Sequence, residues 1–178
     1  MSSDAQTGLT VAAAGERQVV ERLQHIFERP PNERRAGPRV GNGDDAAVRE
    51  APAGDHVSCV DMISAGNDWF DGWTPRAAIG HRALAVSLSD IAAMGARATG
   101  ALVAWRLPST LPVSDVEAAA RGLAELAVSC RVDVLGGDVD IGDGPELISV
   151  TALGSQVAGS AWRRDAARPW ECCSGTRK

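Results

Sequence analysis

At 178 residues, 44% of them hydrophobic and 23% charged, the chain is long enough for one domain with a real core. A formal net charge of −5 argues against a nucleic-acid surface, and no apolar stretch reaches membrane-spanning length, so neither nucleic acid nor membrane is an expected partner. Four cysteines, Cys59, Cys130, Cys172 and Cys173, show no zinc spacing. With an N-terminus that lacks a basic region followed by an apolar core, they point to a reducing, cytoplasmic setting.

In chain order, residues 1–14 read as a flexible, small-residue arm. From Glu16 the apolar positions Val19, Val20, Leu23, Ile26 and Phe27 recur at helical spacing, until "RPPNERRAGPR" ends the helix. "GNGDDAAV" reads as a glycine-rich turn running into a short strand, and "HVSCVDM" as a second strand. The loop "SAGNDWFDGW" follows. Thr74-Pro75 opens a helix as N-cap and first helical residue, and it runs to Met94 with Gly95 as its stop.

"GALVAWRLP" is a buried strand. Ser114 and Glu117 form a capping box for a helix ending near Cys130. "VDVLGGD" is a strand stopping in a Gly-Gly turn, and "ELISVTALG" is the last strand. This β-α-β-α-β order predicts an α+β domain, a mixed sheet with helices over one face, spanning residues 15–158. Residues 159–178 lose the pattern.

Asp90 stands out inside the apolar helical run "SLSDIAAMGA". Aspartate has poor helix propensity, and burying its charge is costly unless it is paired or metal-bound. It lies about 100° from Ile91 on the helical wheel, at the margin of the apolar stripe. Asp44-Asp45 after Gly43, Asp61 ending "VSCVD" and Asp138 after Gly136-Gly137 are further candidates. An Asp after Gly is most often a turn or cap residue. If the strands lie side by side, though, these carboxylates could meet, and Mg²⁺ would offset their repulsion. There is no Walker-type phosphate loop.

"GDDAAV", "SLSDIAAMGA" and "LGGD", in this order and spacing, resemble the N-terminal half of the thiamine-monophosphate kinase family, in the aminoimidazole ribonucleotide synthetase superfamily. The likeness covers roughly residues 14 to 169. It implies an ATP- and Mg²⁺-dependent kinase that phosphorylates thiamine monophosphate to thiamine diphosphate. It also implies a homodimer in which strands of this half pair across the two-fold axis. Metal ligands would fall on Asp45, Asp61, Asp90 and Asp138, and ATP contacts on Gly137, Asp138 and Arg164.

Departures accompany the likeness. Cys59-Val60-Asp61 stands where the family reads Ser/Thr-Thr-Asp, and Asp68 stands where it places a substrate-contacting His. After Asp138 come Val139, Asp140 and Ile141. Family members run to about twice this length, so residues 159–178 read as a linker remnant and aberrant tail of a truncated frame. A non-catalytic dimerising or regulatory half-domain, and another ATP-dependent synthetase of the superfamily, are the alternative readings.

Overall fold

The computed structural model describes residues 8–28, 38–51 and 53–166; the aberrant tail expected after Pro169 lies outside them. Among the described residues, four helices and four strands run α1 (Val11–Ala14), α2 (Glu16–Phe27), β1 (Asp55–Ser64), α3 (Arg76–Ala93), β2 (Arg97–Pro108), α4 (Val113–Cys130), β3 (Asp133–Gly142) and β4 (Leu147–Gln156). The sheet order is β1-β4-β2-β3. Only β2 and β3 are parallel; β4 is antiparallel to both its neighbours. The expected mixed sheet with helices over one face is present.

Alternation decides which side chains meet the helices. On β4, Ile148, Val150, Ala152 and Gly154 are buried while Leu147, Ser149, Thr151 and Leu153 point the other way. On β2, Ala101, Val103, Trp105 and Leu107 join the core. Helix α3 lies over β1 and β4. Its wholly buried Ser87 donates from Oγ to the Val150 carbonyl at 3.0 Å, fixing the helix on the sheet. Helix α4 packs beside α3. The opposite sheet face is open, with Val60 and Met62 63% and 61% exposed. Among the described residues, no helix is long and apolar enough to cross a membrane.

Several local expectations are corrected. The end of the supposed N-terminal arm is docked: Val11 is wholly buried and its N–H donates to the Leu111 carbonyl, while Val113 N–H donates to Leu9. "GNGDDAAV" forms a loop closed by a single antiparallel bridge, Val40 to Val48, rather than a strand. Thr74 does not cap α3; Pro75 occupies the N-cap position. The Ser114–Glu117 capping box is absent, and Pro112 is the N-cap of α4. Glu117 instead accepts from Arg22 at 2.6 Å, tying α2 to α4. Finally, β3 continues through Gly136-Gly137 to Gly142, because that pair lies in a ladder with β2 and not in a turn.

A buried ion pair, not legible in the sequence, fastens the start of α3 to the start of β4. Arg76 Nη2 donates to both carboxylate oxygens of Glu146 at 2.6 Å, and Trp105 Nε1 donates to Oε1 at 3.0 Å. Glu146 is only 3% exposed.

Candidate functional site

Strand β1 alternates, so Cys59 and Asp61 both face α3. Asp90 lies near the end of α3, exposed beside the buried Ile91 as the helical wheel requires. The Cys59 sulfur and one carboxylate oxygen each from Asp61 and Asp90 lie within 4.8 Å of one another. Among the described residues, no other trio of such ligand groups is so close. Cys59 Sγ donates to the Ser87 carbonyl at 3.2 Å. Burial pushes the Cys59 thiol up, and the charges of Asp61 and Asp90 push it the same way. Asp61 Oδ2 is buried without a hydrogen-bond partner. An oxygen in that position loses its hydration with no compensation, and a cation bound there would supply what is missing.

Arg164 reaches this place. The segment after β4 folds back so that Trp162 N–H donates to the Met94 carbonyl at 3.0 Å and its ring stacks over Gly95. Cys59, Asp90, Met94 and Arg164 then line one hollow. The sequence could associate Arg164 with Asp90 only through family likeness, since the fold-back depends on a contact between distant residues.

Asp45 and Asp138 sit elsewhere. They line a second hollow, of about 840 Å³, together with Asn42, Gly43, Asp44, Arg49, Gly136, Gly137, Ser149 and Thr151. Asn42 Nδ2 donates to the Val134 carbonyl at 3.0 Å, holding the acidic loop beside β3. Asp138 is level with Ala104 and Ser149 and shares their open face, whereas Asp61 is level with Val150 and Val103 on the helix face. Three strand spacings, about 14 Å, separate the two rows' ends. One chain therefore does not gather all four aspartates around one cation. It presents Asp61 and Asp90 on one face and Asp45 and Asp138 on the other.

Two further residues have structural duties. A Cβ at Gly137 would lie 1.8 Å from the Val103 carbonyl oxygen, so close packing of β2 against β3 by itself demands glycine there. Asp68 Oδ2 accepts from Ser64 N–H at 2.9 Å, and Oδ1 pairs with Arg82 at 3.4 Å. The loop carboxylate thus stands beside a cation, which weakens the repulsion an acid there would exert on a phosphate.

Comparison with known proteins gives the same fold. The family model "AIR synthase related protein, N-terminal domain" matches residues 43–156. Thiamine-monophosphate kinase of Rhodopirellula baltica is 39% identical over 123 residues, which make up 65% of this chain and 39% of that protein. The Bacillus subtilis enzyme is 36% identical over 131 residues, 73% of this chain and 40% of its own. The crystal structure of thiamine-monophosphate kinase from Stenotrophomonas maltophilia superposes with a TM-score of 0.70 at 34% identity, covering 84% of this chain and 45% of that one. AaThiL complexed with AMPPCP and TMP gives 0.54 at 25% identity, covering 82% and 43%. The chain spans less than half the length of each of these relatives. Its sheet, its helices and its motif order place it in the family of AIR synthase related proteins, as a bearer of their N-terminal domain.

Proposed function

We propose that this chain forms the nucleotide- and Mg²⁺-binding N-terminal half of a thiamine-monophosphate kinase-like phosphotransferase. The reaction would move the γ-phosphoryl group of ATP onto thiamine monophosphate. The observation that carries this reading is the convergence of Asp61 and Asp90, with a buried, unpartnered carboxylate oxygen, in the place that Arg164 also reaches. Kinase relatives at 36–39% identity, and a neighbour crystallised with the ATP analogue AMPPCP, agree with that chemistry.

The two carboxylates, Asp61 and Asp90, fit Mg²⁺, a hard cation commonly held by one or two carboxylates plus substrate phosphates. When bound, it would offset the charge that builds on the transferring phosphoryl oxygens. The protein's own contribution is positional. The backbone of Asp61 is fixed by the β1 ladder and that of Asp90 by the docking of α3 through Ser87, so only the two carboxylate side chains remain to be ordered when ligand arrives. Arg164 supplies a fixed-charge fork suited to phosphate oxygens. The attacking group is a phosphate oxygen already anionic at neutral pH, so no strong general base is needed.

Asp45 and Asp138 belong to the same site only if a second chain completes it, because a single chain holds them on the opposite sheet face. The open face carries Val60, Met62 and Leu102, all exposed, and a second copy laid against it would cover them. Val60→Lys with Met62→Lys is expected to leave a folded monomer where the parent sediments as a dimer in analytical ultracentrifugation. A parent that is monomeric at all concentrations would remove the dimer from this reading.

Millimolar Mg²⁺ is expected to raise the melting temperature of the chain, and Asp90→Asn to remove most of that rise. An equal rise in the variant would overturn the assignment of Asp90. For the activity itself, the chain with ATP, Mg²⁺ and thiamine monophosphate should yield thiamine diphosphate on chromatographic assay, and Asp90→Asn should not. Tight binding of AMPPCP without turnover would instead support the non-catalytic half-domain.

A further inference from the structure

Whichever phosphate acceptor is used, the metal position on β1 differs chemically from one built of oxygen alone. Three protein atoms converge there: the Cys59 sulfur and carboxylate oxygens of Asp61 and Asp90, all within 4.8 Å of one another. Oxygen-only sets suit Mg²⁺ and Ca²⁺, whereas a thiolate shifts preference towards Zn²⁺, Co²⁺ and Fe²⁺. Zinc–sulfur and zinc–oxygen bonds of about 2.3 and 2.1 Å put two ligand atoms of one ion no more than about 4.4 Å apart. Ligand atoms within 4.8 Å of one another are near these distances, and side-chain rotation would close the set on a single ion.

We propose that Cys59, Asp61 and Asp90 form a mixed sulfur–oxygen site that selects a thiophilic divalent cation over Mg²⁺. The inference rests on the reading above that Asp61 and Asp90 hold the nucleotide's metal, and it names which metal this chain prefers.

The geometry supports each part of the set. Cys59 is held on the face of β1 that meets α3, two residues before Asp61 on the same side of the strand. Its sulfur now donates to the Ser87 carbonyl. Coordination breaks that weak hydrogen bond, forms a sulfur–metal bond and releases the thiol proton to solvent. The Asp61 Oδ2 atom, buried and unpartnered, gains a ligand. Exposed Asp90 completes three protein ligands and leaves the outer side of the ion open to water or phosphate.

The test uses the full chain with Cys130, Cys172 and Cys173 changed to Ser, so that Cys59 is the only thiol, and titrates Co²⁺. A near-ultraviolet sulfur-to-cobalt charge-transfer band should grow to one equivalent per chain, and Zn²⁺ should bleach it. A hundredfold excess of Mg²⁺, roughly, should leave it standing. Adding Cys59→Ser should abolish the band, and Asp90→Asn, which keeps the thiol, should weaken cobalt binding by about tenfold or more. Circular dichroism of each variant checks that it is folded. A folded parent without the band, a band that survives Cys59→Ser, or displacement of cobalt by equimolar Mg²⁺ overturns the inference. If Mg²⁺ still raises the melting temperature in those cases, the reading of Asp61 and Asp90 as metal ligands stands alone. If neither metal shifts the melt, both fall together.

Discussion

Replacing Arg76 by Ala should cost about 3–5 kcal/mol of unfolding free energy, the largest loss expected from any single polar substitution here. The reason is the asymmetry between making and breaking a buried ion pair. Glu146 is 3% exposed and takes both its charge compensation and two hydrogen bonds from Arg76, so removing the guanidinium leaves a desolvated carboxylate with only the Trp105 N–H. Removing Glu146 instead leaves Arg76, whose side chain is 15% exposed and still reaches the Asp115 carbonyl at 3.5 Å. Glu146→Ala should therefore fall at the lower end of the same range. For a chain of this size 1 kcal/mol corresponds to roughly 2–4 °C, so Arg76→Ala should melt roughly 6–20 °C lower. The double variant Arg76→Met, Glu146→Gln removes both charges while Gln can still accept from Trp105, and it should recover more than half of the loss. Urea midpoints with unchanged m-values measure all three. If Arg76→Ala costs no more than an exposed pair, under about 1 kcal/mol, the pair is solvated in solution and the account fails. Because Arg76 begins α3 and Asp90 lies near its end, these variants should leave any metal response intact.

What the sequence made legible, and what it did not, follows the range of the forces involved. The α2, α3 and α4 segments and strands β1, β2 and β4 announced themselves by local periodicity, because a 3.6- or 2-residue repeat is written within a dozen neighbours. Gly136-Gly137 misled for a physical reason. Glycine pairs usually mark turns, but here the lack of a side chain at Gly137 allows the β2 backbone to approach, a long-range demand invisible in the local pattern. Thr74 and Ser114 are good capping residues by type, yet a proline holds the cap position in both helices.

The acidic site shows the same limit. Asp90's place at the stripe margin was readable, and so was its singular chemistry. That Asp61 and Asp138 would face opposite sides was not, because register between β1 and β3 passes through β4 and β2, and each pairing must be known first. Local glycine and strand-end context picked out the aspartates, and family likeness narrowed them to Asp45, Asp61, Asp90 and Asp138, but neither gave their geometry. The positions of Cys59 and Arg164 beside Asp90 emerge only once β1, α3 and the segment after β4 are assembled.

Gly122→Ala provides the second strong test, because helix propensity and packing predict opposite signs. In an exposed helix interior, Gly→Ala stabilises by about 1 kcal/mol. At Gly122 the new Cβ would lie 1.9 Å from the Ala77 carbonyl oxygen, and reciprocally a Cβ at Gly80 would lie 1.7 Å from the Ala119 carbonyl oxygen. The obstacles are backbone atoms of the facing helix, so no rotamer change relieves the clash. Helices α3 and α4 must move apart, and the wholly buried Leu84, Ala119, Ala120 and Leu123 then lose contact density. Overpacking of this kind costs about 1–3 kcal/mol per site, and Gly122→Val should exceed that. Gly80→Ala combined with Gly122→Ala should cost less than the sum, since one separation of the helices accommodates both methyls. Moving α3 also displaces Asp90 relative to Asp61, so Gly122→Ala should blunt the metal-induced rise in melting temperature even where the protein stays folded. An unchanged or raised melting temperature would mean that the two helices cross less closely in solution, and that α3 is not clamped in the position that sets the acidic site.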